Sequence, residues 1–279
     1  MTHQTTATIT RAALFRPEDF GERIAQATAQ FLRDTPDYVQ FAMASDPALQ
    51  GLSLQGAADQ LQAYPGVRAL AVHQVAHRFY ERAHGMEDEA TRDDLLRQAR
   101  WWAEAAKMQT GIDIHPGSTI DAKLFIDHGT GVVIGEKAVI GRGTRMYHDV
   151  TLGAAGKPPA DGKRHPELGE QCLVSVDVKI LGHVRAGNHV TFGPRVTVQG
   201  NDVTIADGVQ IGTGAQIGDH NHIAAKVRIG AGVDIPNGIG LIDQDVPSFS
   251  KVSRTPEGAL QFEAHSPSPG QDIRIGTAR

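Results

Sequence analysis

A chain of 279 residues, 40% of them hydrophobic, is long enough to bury one large core or two modest ones. A formal net charge of −5 leaves no dominant basic surface, which excludes nucleic acid and anionic membrane as first-choice partners. The single cysteine, Cys172, excludes an internal disulfide and a cysteine-based zinc site, and reads as a small buried thiol. The opening MTHQTTATITRAALFRPEDF lacks the pattern of a signal peptide, and no apolar run approaches the ~18 residues of a membrane span. A soluble, cytoplasmic protein is expected.

Residues 1–108 read as an α-helical domain. Phe20, Ile24, Ala27 and Phe31 recur at helical spacing across 17–33. After the Pro65-Gly66 break, Val67, Leu70, Val72, Val75, Ala76 and Phe79 form a second amphipathic stretch. A third, 93–108, carries Leu95, Leu96 and the pair Trp101-Trp102, which reads as helix packing; the polar 84–91 connects the two.

From residue 109 to about 245 the texture changes. Aliphatic residues recur every six positions: Ile114, Ile120 and Ile126; then Ile134, Ile140, Met146 and Leu152. After an interruption come Leu168, Val174, Ile180, Ala186, Phe192 and Val198. A one-residue slip near Asp202 leads to Ile205, Ile211, Ile217, Ile223, Ile229, Ile235 and Leu241. Such a beat marks a repeat in which each unit is a short strand and a turn. Three units close a triangular coil, and stacked coils turn the lead aliphatics inward. The predicted class is α+β: a helical N-terminal region followed by a parallel β-helix. The polar, proline-rich segment 153–167 is expected to leave a corner as a loop, where chemistry is commonly housed. Residues 246–279 lose the beat and read as a surface wrap or frayed tail.

Candidate chemistry lies in Asp113-Ile114-His115-Pro116, in Asp127-His128 with Glu136 downstream, and in Arg164-His165 of the loop. A histidine can take the proton of a hydroxyl acceptor, and a carboxylate on its far nitrogen would fix the tautomer. Asp113 and His128 fall on neighbouring levels of the same side, where a contact is expected. Arg164 and His165 offer positive charge and donors to a carboxylate or an oxyanion. Gly156-Lys157-Pro158-Pro159 lacks phosphate-loop spacing. Asp219-His220-Asn221-His222 reads as a polar corner rather than a metal site.

The blocks GIDIHPGSTIDAKLFIDHGTGVVIGEKAVIG, YHDVTLGAAG, GKRHP and KILG, with YPGVRALAVHQVAHRFY upstream, resemble the serine O-acetyltransferases, hexapeptide-repeat acyltransferases of cysteine biosynthesis. The resemblance covers roughly residues 60–185. It implies a left-handed β-helix, assembly as a homotrimer or a dimer of trimers with active sites between subunits, and acetyl transfer from acetyl-CoA to the hydroxyl of L-serine, with no permanently bound cofactor. It implies His128 as general base with Asp113 as partner. Asp127, Arg164, His165 and Glu136 would meet the acceptor, with Asp46 of an Asp-Pro-Ala tripeptide holding its ammonium. Gly153, Ala154, Ala155, Gly156, Val176 and Lys179 would line the CoA cleft.

Four departures stand against the family pattern. Ser175-Val176-Asp177-Val178 replaces small residues before KILG, narrowing the cleft and adding negative charge. Asp46 lies about five residues farther from Tyr64-Pro65-Gly66 than the family pattern. His148-Asp149 stands where Gln-Ser or Gln-Gly is usual, and the chain closes on Thr277-Ala278-Arg279, without the C-terminal Ile that docks into cysteine synthase, so that complex is not expected. These departures leave open another acceptor such as homoserine, another acyl donor, or a catalytically retired trimeric scaffold.

Overall fold

The computed structural model of the chain describes residues 19–156 and 162–264. Lys157, Pro158, Pro159 and the C-terminal residues 277–279 discussed above lie outside them. Among the described residues five α-helices come first: α1 (Phe20–Asp34), α2 (Pro36–Ser45), α3 (Leu54–Leu61), α4 (Pro65–His84) and α5 (Glu89–Thr110). Helix α4 opens on Pro65, which has no N–H to satisfy in a first turn. Helix α5 begins at Asp88, whose carboxylate accepts from Thr91 N, and stops at Gly111 in the left-handed conformation (φ 71°). Trp102 is buried with Ile24, Val72 and Ala76 in a small core between α1, α4 and α5, whereas Trp101 faces outward. No described helix is long and apolar enough to cross a membrane.

The rest is a parallel β-solenoid of three faces, whose strands, among the described residues, form sheets of nine, seven and six. The first face stacks Asp113–Ile114, Val133–Ile134, Thr151–Gly153, Lys179–Leu181, Thr197–Gln199, Gln216–Ile217 and Asp234–Ile235 in order. All of these pair in parallel, one turn apart. The lead aliphatics point inward as the six-residue beat requires: Ile134, Met146, Leu152, Ile180, Phe192 and Ile217 are all buried. Cys172 joins this core, and burial pushes its thiol up from the usual value.

Two details of the beat differ from the sequence reading. Leu241 is exposed and Ile242 is the inward residue, because the last turn pairs Ile223 with Ile242 and so gains a residue. Residues 246–279 were read as a wrap or frayed tail, but their described part is ordered. Ser250–Arg254 joins the first face and pairs antiparallel with Leu260–Ala264, closing the end of the solenoid. Arg254 secures this hairpin by donating to Ile239 O and Leu241 O.

Helix α4 lies directly on the first solenoid turn. A Cβ at Gly66 would stand 2.2 Å from Ile126 O, so only glycine permits this approach. Val67 and Leu70 share one continuous core with Ile112, Leu124 and Phe125, which makes the helices and the solenoid a single packed body.

Candidate active site

Two corners of the first face carry the sequence-marked side chains. The first turn takes 20 residues from Asp113 to Val133, where the next takes 18 from Val133 to Thr151. The surplus sits at the corner after strand Phe125–Ile126, around His128 and Gly129, both with positive φ. This bulge projects His128, whose side chain is 73% exposed. Its Nε2 lies 3.8 Å from Asp127 Oδ1, and its ring meets the His148 ring edge-on at 5.9 Å between centroids.

Asp46 reaches the same corner despite its longer separation in sequence. Its Oδ2 accepts from Tyr64 Oη at 2.6 Å. Burial, then Asp46 and Asp127, push the Tyr64 phenol up to about 12, so both carboxylates act on one ring. Asp113 starts the strand below this corner, but its contact with His128 is not formed. Asp113 Oδ2 accepts from Lys107 Nζ at 2.7 Å instead, because the last turn of α5 lays Lys107 over the strand.

The opposite corner, between the first and second faces, gathers His115, Glu136, Lys137, Arg164 and His165. Glu136 Oε1 accepts from Tyr80 Oη at 3.0 Å, and Oε2 lies 3.6 Å from Arg164 Nη2. Burial alone would raise the Glu136 carboxyl, yet the Tyr80 hydroxyl and the neighbouring His115, Lys137 and Arg164 hold it below its usual value. His165 is 6% exposed, with its Nδ1 buried and unpaired. Its ring lies against Gly135, where a Cβ would sit 2.3 Å from Nε2. Burial, then the Arg164 charge, depress His165; burial does the same to His115. Because His115 Nδ1 accepts from Gly117 N at 3.0 Å, neutral His115 carries its proton on Nε2.

Helix α4 runs from one corner to the other. Tyr80 follows Tyr64 by sixteen positions, so at ~1.5 Å per residue their backbone positions stand about 24 Å apart along the helix. The expected donor-binding residues divide in the same way. Gly153, Ala154, Ala155 and Gly156 leave the His165 corner, where Ala155 and Gly156 cover a groove of about 440 Å³ lined also by Thr197, Gln199, Asp219 and Asn237. Val176 and Lys179 belong to the His128 corner. Lys179 Nζ lies 3.0 Å from Asp177 Oδ1 and donates to Asp149 O, so the added negative charge of Asp177 is neutralised within the chain. Asp219 Oδ1 accepts from the backbone N–H groups of Asn201, Asp202 and His220, the role of a corner residue. Among the described residues no group of three or more side chains could hold a metal ion.

Sequence reasoning missed Tyr64, Tyr80 and Lys107. For Tyr80 a signal was present, since His73, His77, Tyr80 and His84 recur at spacings of four, three and four along α4.

No protein-family model matches the chain. It is 43% identical over 124 residues to serine acetyltransferase of Mycobacterium tuberculosis, covering 44% of this chain and 48% of that protein. It is 37% identical over 173 residues to a plasmid-encoded serine acetyltransferase of Synechococcus elongatus, covering 60% and 49%. Over these stretches the chain is similar in sequence to serine acetyltransferases. It spans about half the length of these curated relatives. A crystal structure of Neisseria gonorrhoeae serine acetyltransferase is 23% identical at a TM-score of 0.48, over 92% of this chain and 75% of that one. Of the serine acetyltransferase-like motifs of this chain, DHGTG borders the His128 corner and RHP the His165 corner, while DIHP runs from Asp113 near the first to His115 at the second.

Proposed function

We propose that this chain is an acetyl-CoA-dependent O-acetyltransferase acting on L-serine, with each active site completed between two copies of the chain. The observation that carries this reading is the charge character of the two corners. One pairs two carboxylates, Asp46 and Asp127, with the exposed imidazole of His128; the other presents Arg164 and His165. An amino acid has the matching pair of ends, an ammonium for the first corner and a carboxylate for the second. The backbone positions of Tyr64 and Tyr80, which mark the two corners, are ~24 Å apart along α4, longer than such a molecule, which favours a site completed by a second chain. A neighbouring copy in a closed ring, a homotrimer, can place its His165 corner against this chain's His128 corner.

In this arrangement His128 takes the proton of the serine hydroxyl as the oxygen attacks the thioester carbonyl of acetyl-CoA. The tetrahedral intermediate collapses by breaking the C–S bond, and the His128 imidazolium returns the proton to the departing thiolate. O-acetylserine and CoA result. Asp113 would orient His128 once its carboxylate leaves Lys107. The uncharged chain of the donor would lie beside residues 153–156 and the groove they cover.

Release of free thiol from acetyl-CoA, measured with L-serine and L-homoserine in parallel, tests the reading. We expect turnover with preference for L-serine, and a His128→Ala variant reduced by ~100-fold or more in kcat. Preference for homoserine would change the acceptor; retained turnover in His128→Ala would remove the base.

A further inference from the structure

Helix α4 carries a stripe that the mechanism above leaves unused. His73, His77, Tyr80 and His84 lie along one side of the helix, and polar rings on a packed side cost free energy unless each finds a partner. His73 Nε2 lies 3.0 Å from Ser118 Oγ, and His77 Nδ1 lies 2.7 Å from Pro116 O. Both partners belong to the turn that follows Asp113–Ile114, and this fastens α4 to the His165 corner. Tyr80 continues the row and reaches beyond that turn to Glu136.

The Tyr80 ring has little freedom. A Cβ at Gly117 would stand 2.8 Å from Tyr80 Cζ, so the ring fills the space that glycine leaves. The His115 ring meets it edge-on at 5.8 Å between centroids, and the His84 ring lies on it at 4.4 Å. Burial and the Glu136 charge push the phenol up to about 12, so the hydroxyl stays protonated and remains a donor. A donor fixed in place and in protonation state fixes its acceptor. With Oε1 taken by Tyr80, Glu136 turns Oε2 toward Arg164, 3.6 Å away.

We propose that Tyr80 is a positioning residue of the acceptor site: its hydroxyl clamps Glu136, which aims the Arg164 guanidinium at the acceptor's carboxylate. The proposal rests on the acceptor role given above to Arg164. It makes the helical domain part of substrate recognition rather than a tether. The groups facing Glu136 are Tyr80 from α4, His115 from the first turn, Lys137 beside it in sequence, and Arg164 and His165 from the segment before Glu167–Leu168.

Tyr80→Phe removes one oxygen and keeps the ring between Gly117 and His115. In the full chain, carbon-13 carboxyl NMR follows the Glu136 titration, with Glu136→Gln identifying its resonance, and thiol release gives kcat and both KM values. Loss of the Tyr80 donor is expected to move the Glu136 titration to higher pH. The acceptor KM should rise about tenfold, the loss of one hydrogen bond to a charged group. The kcat and the donor KM should hold, kcat within about twofold. Glu136→Gln should raise the acceptor KM similarly, and adding Tyr80→Phe to it should raise it no further. An unshifted Glu136 titration overturns the proposal, as do additive losses or a lowered kcat at unchanged acceptor KM. If the wild-type protein transfers nothing to L-serine, the functional reading fails, and the titration still decides whether Tyr80 governs Glu136.

Discussion

Replacing Gly66 by alanine tests whether α4 is pressed against the strand that ends beside His128. The added Cβ would meet Ile126 O at 2.2 Å, Ile126 Cβ at 2.8 Å and Ile126 C at 3.0 Å. Carbonyl and helix are both backbone, so no rotamer change relieves the clash, and α4 must retreat by about 1 Å to reach ordinary contact. Overpacking of this kind costs about 1–3 kcal/mol, against a gain of up to ~1 kcal/mol for alanine over glycine in a helix. A net loss of up to about 2 kcal/mol follows. Gly21 in α1 is the control, since a Cβ there meets nothing within 4 Å and Gly21→Ala should gain up to ~1 kcal/mol. Chemical denaturation of both variants measures the difference. Retreat of α4 also carries Tyr64 away from Asp46, so the acceptor KM of Gly66→Ala should rise as well. If Gly66→Ala is as stable as Gly21→Ala and binds acceptor normally, the packing of α4 described above is wrong.

Two further outcomes follow from named contacts. His73 is buried and pushed down to about 3, chiefly by burial, so it stays neutral in the folded chain where the unfolded chain protonates it near 6.5. Its contribution is complete above pH ~6.5 and is lost as pH falls toward ~3, at up to about 1.4 kcal/mol per pH unit. His73→Gln should remove about one proton's worth of that slope in denaturation series across the window, and equal slopes would contradict the assignment. The Lys107–Asp113 pair separates a role for Asp113 in catalysis from one in folding. Asp113→Asn should lower kcat about tenfold or more, whereas Lys107→Met should leave kcat intact and cost no more than ~1 kcal/mol, because the pair is partly exposed. Equal losses in kcat would make the Lys107–Asp113 ion pair, not the Asp113 carboxylate alone, the functional unit.

The solenoid was legible because its core is periodic: one inward aliphatic per strand and three strands per turn write the fold into every sixth residue. The beat misled only where a turn gains a residue, as between Ile223 and Ile242, where left-handed Gly238 and Gly240 shape the corner and a neighbouring leucine imitates the expected position. The terminal hairpin escaped notice because only Val252 of its first strand is inward and apolar, too little for a pattern. The His128 bulge could be read as a two-residue slip before Ile134. Asp113 could be assigned to that corner, but its preference for Lys107 could not, since that depends on the rotation at which α5 ends. Tyr80 and Glu136 are 56 residues apart, and only the docking of α4 brings them together. The division of the candidate residues between two corners was invisible to spacing, which orders residues along the solenoid without revealing how far apart its edges stand.

In the proposed arrangement one chain supplies His128 and another supplies Arg164 to the same site. Mixing His128→Ala with Arg164→Ala subunits, each inactive alone, tests it by co-expression or by refolding together. In a closed ring assembled at random from equal amounts, about a quarter of the interfaces combine an intact His128 corner with an intact Arg164 corner. Recovery of about a quarter of wild-type thiol release is expected from the mixture. Activity no greater than that of the separate variants, in rings proven by mass to contain both, would contradict it.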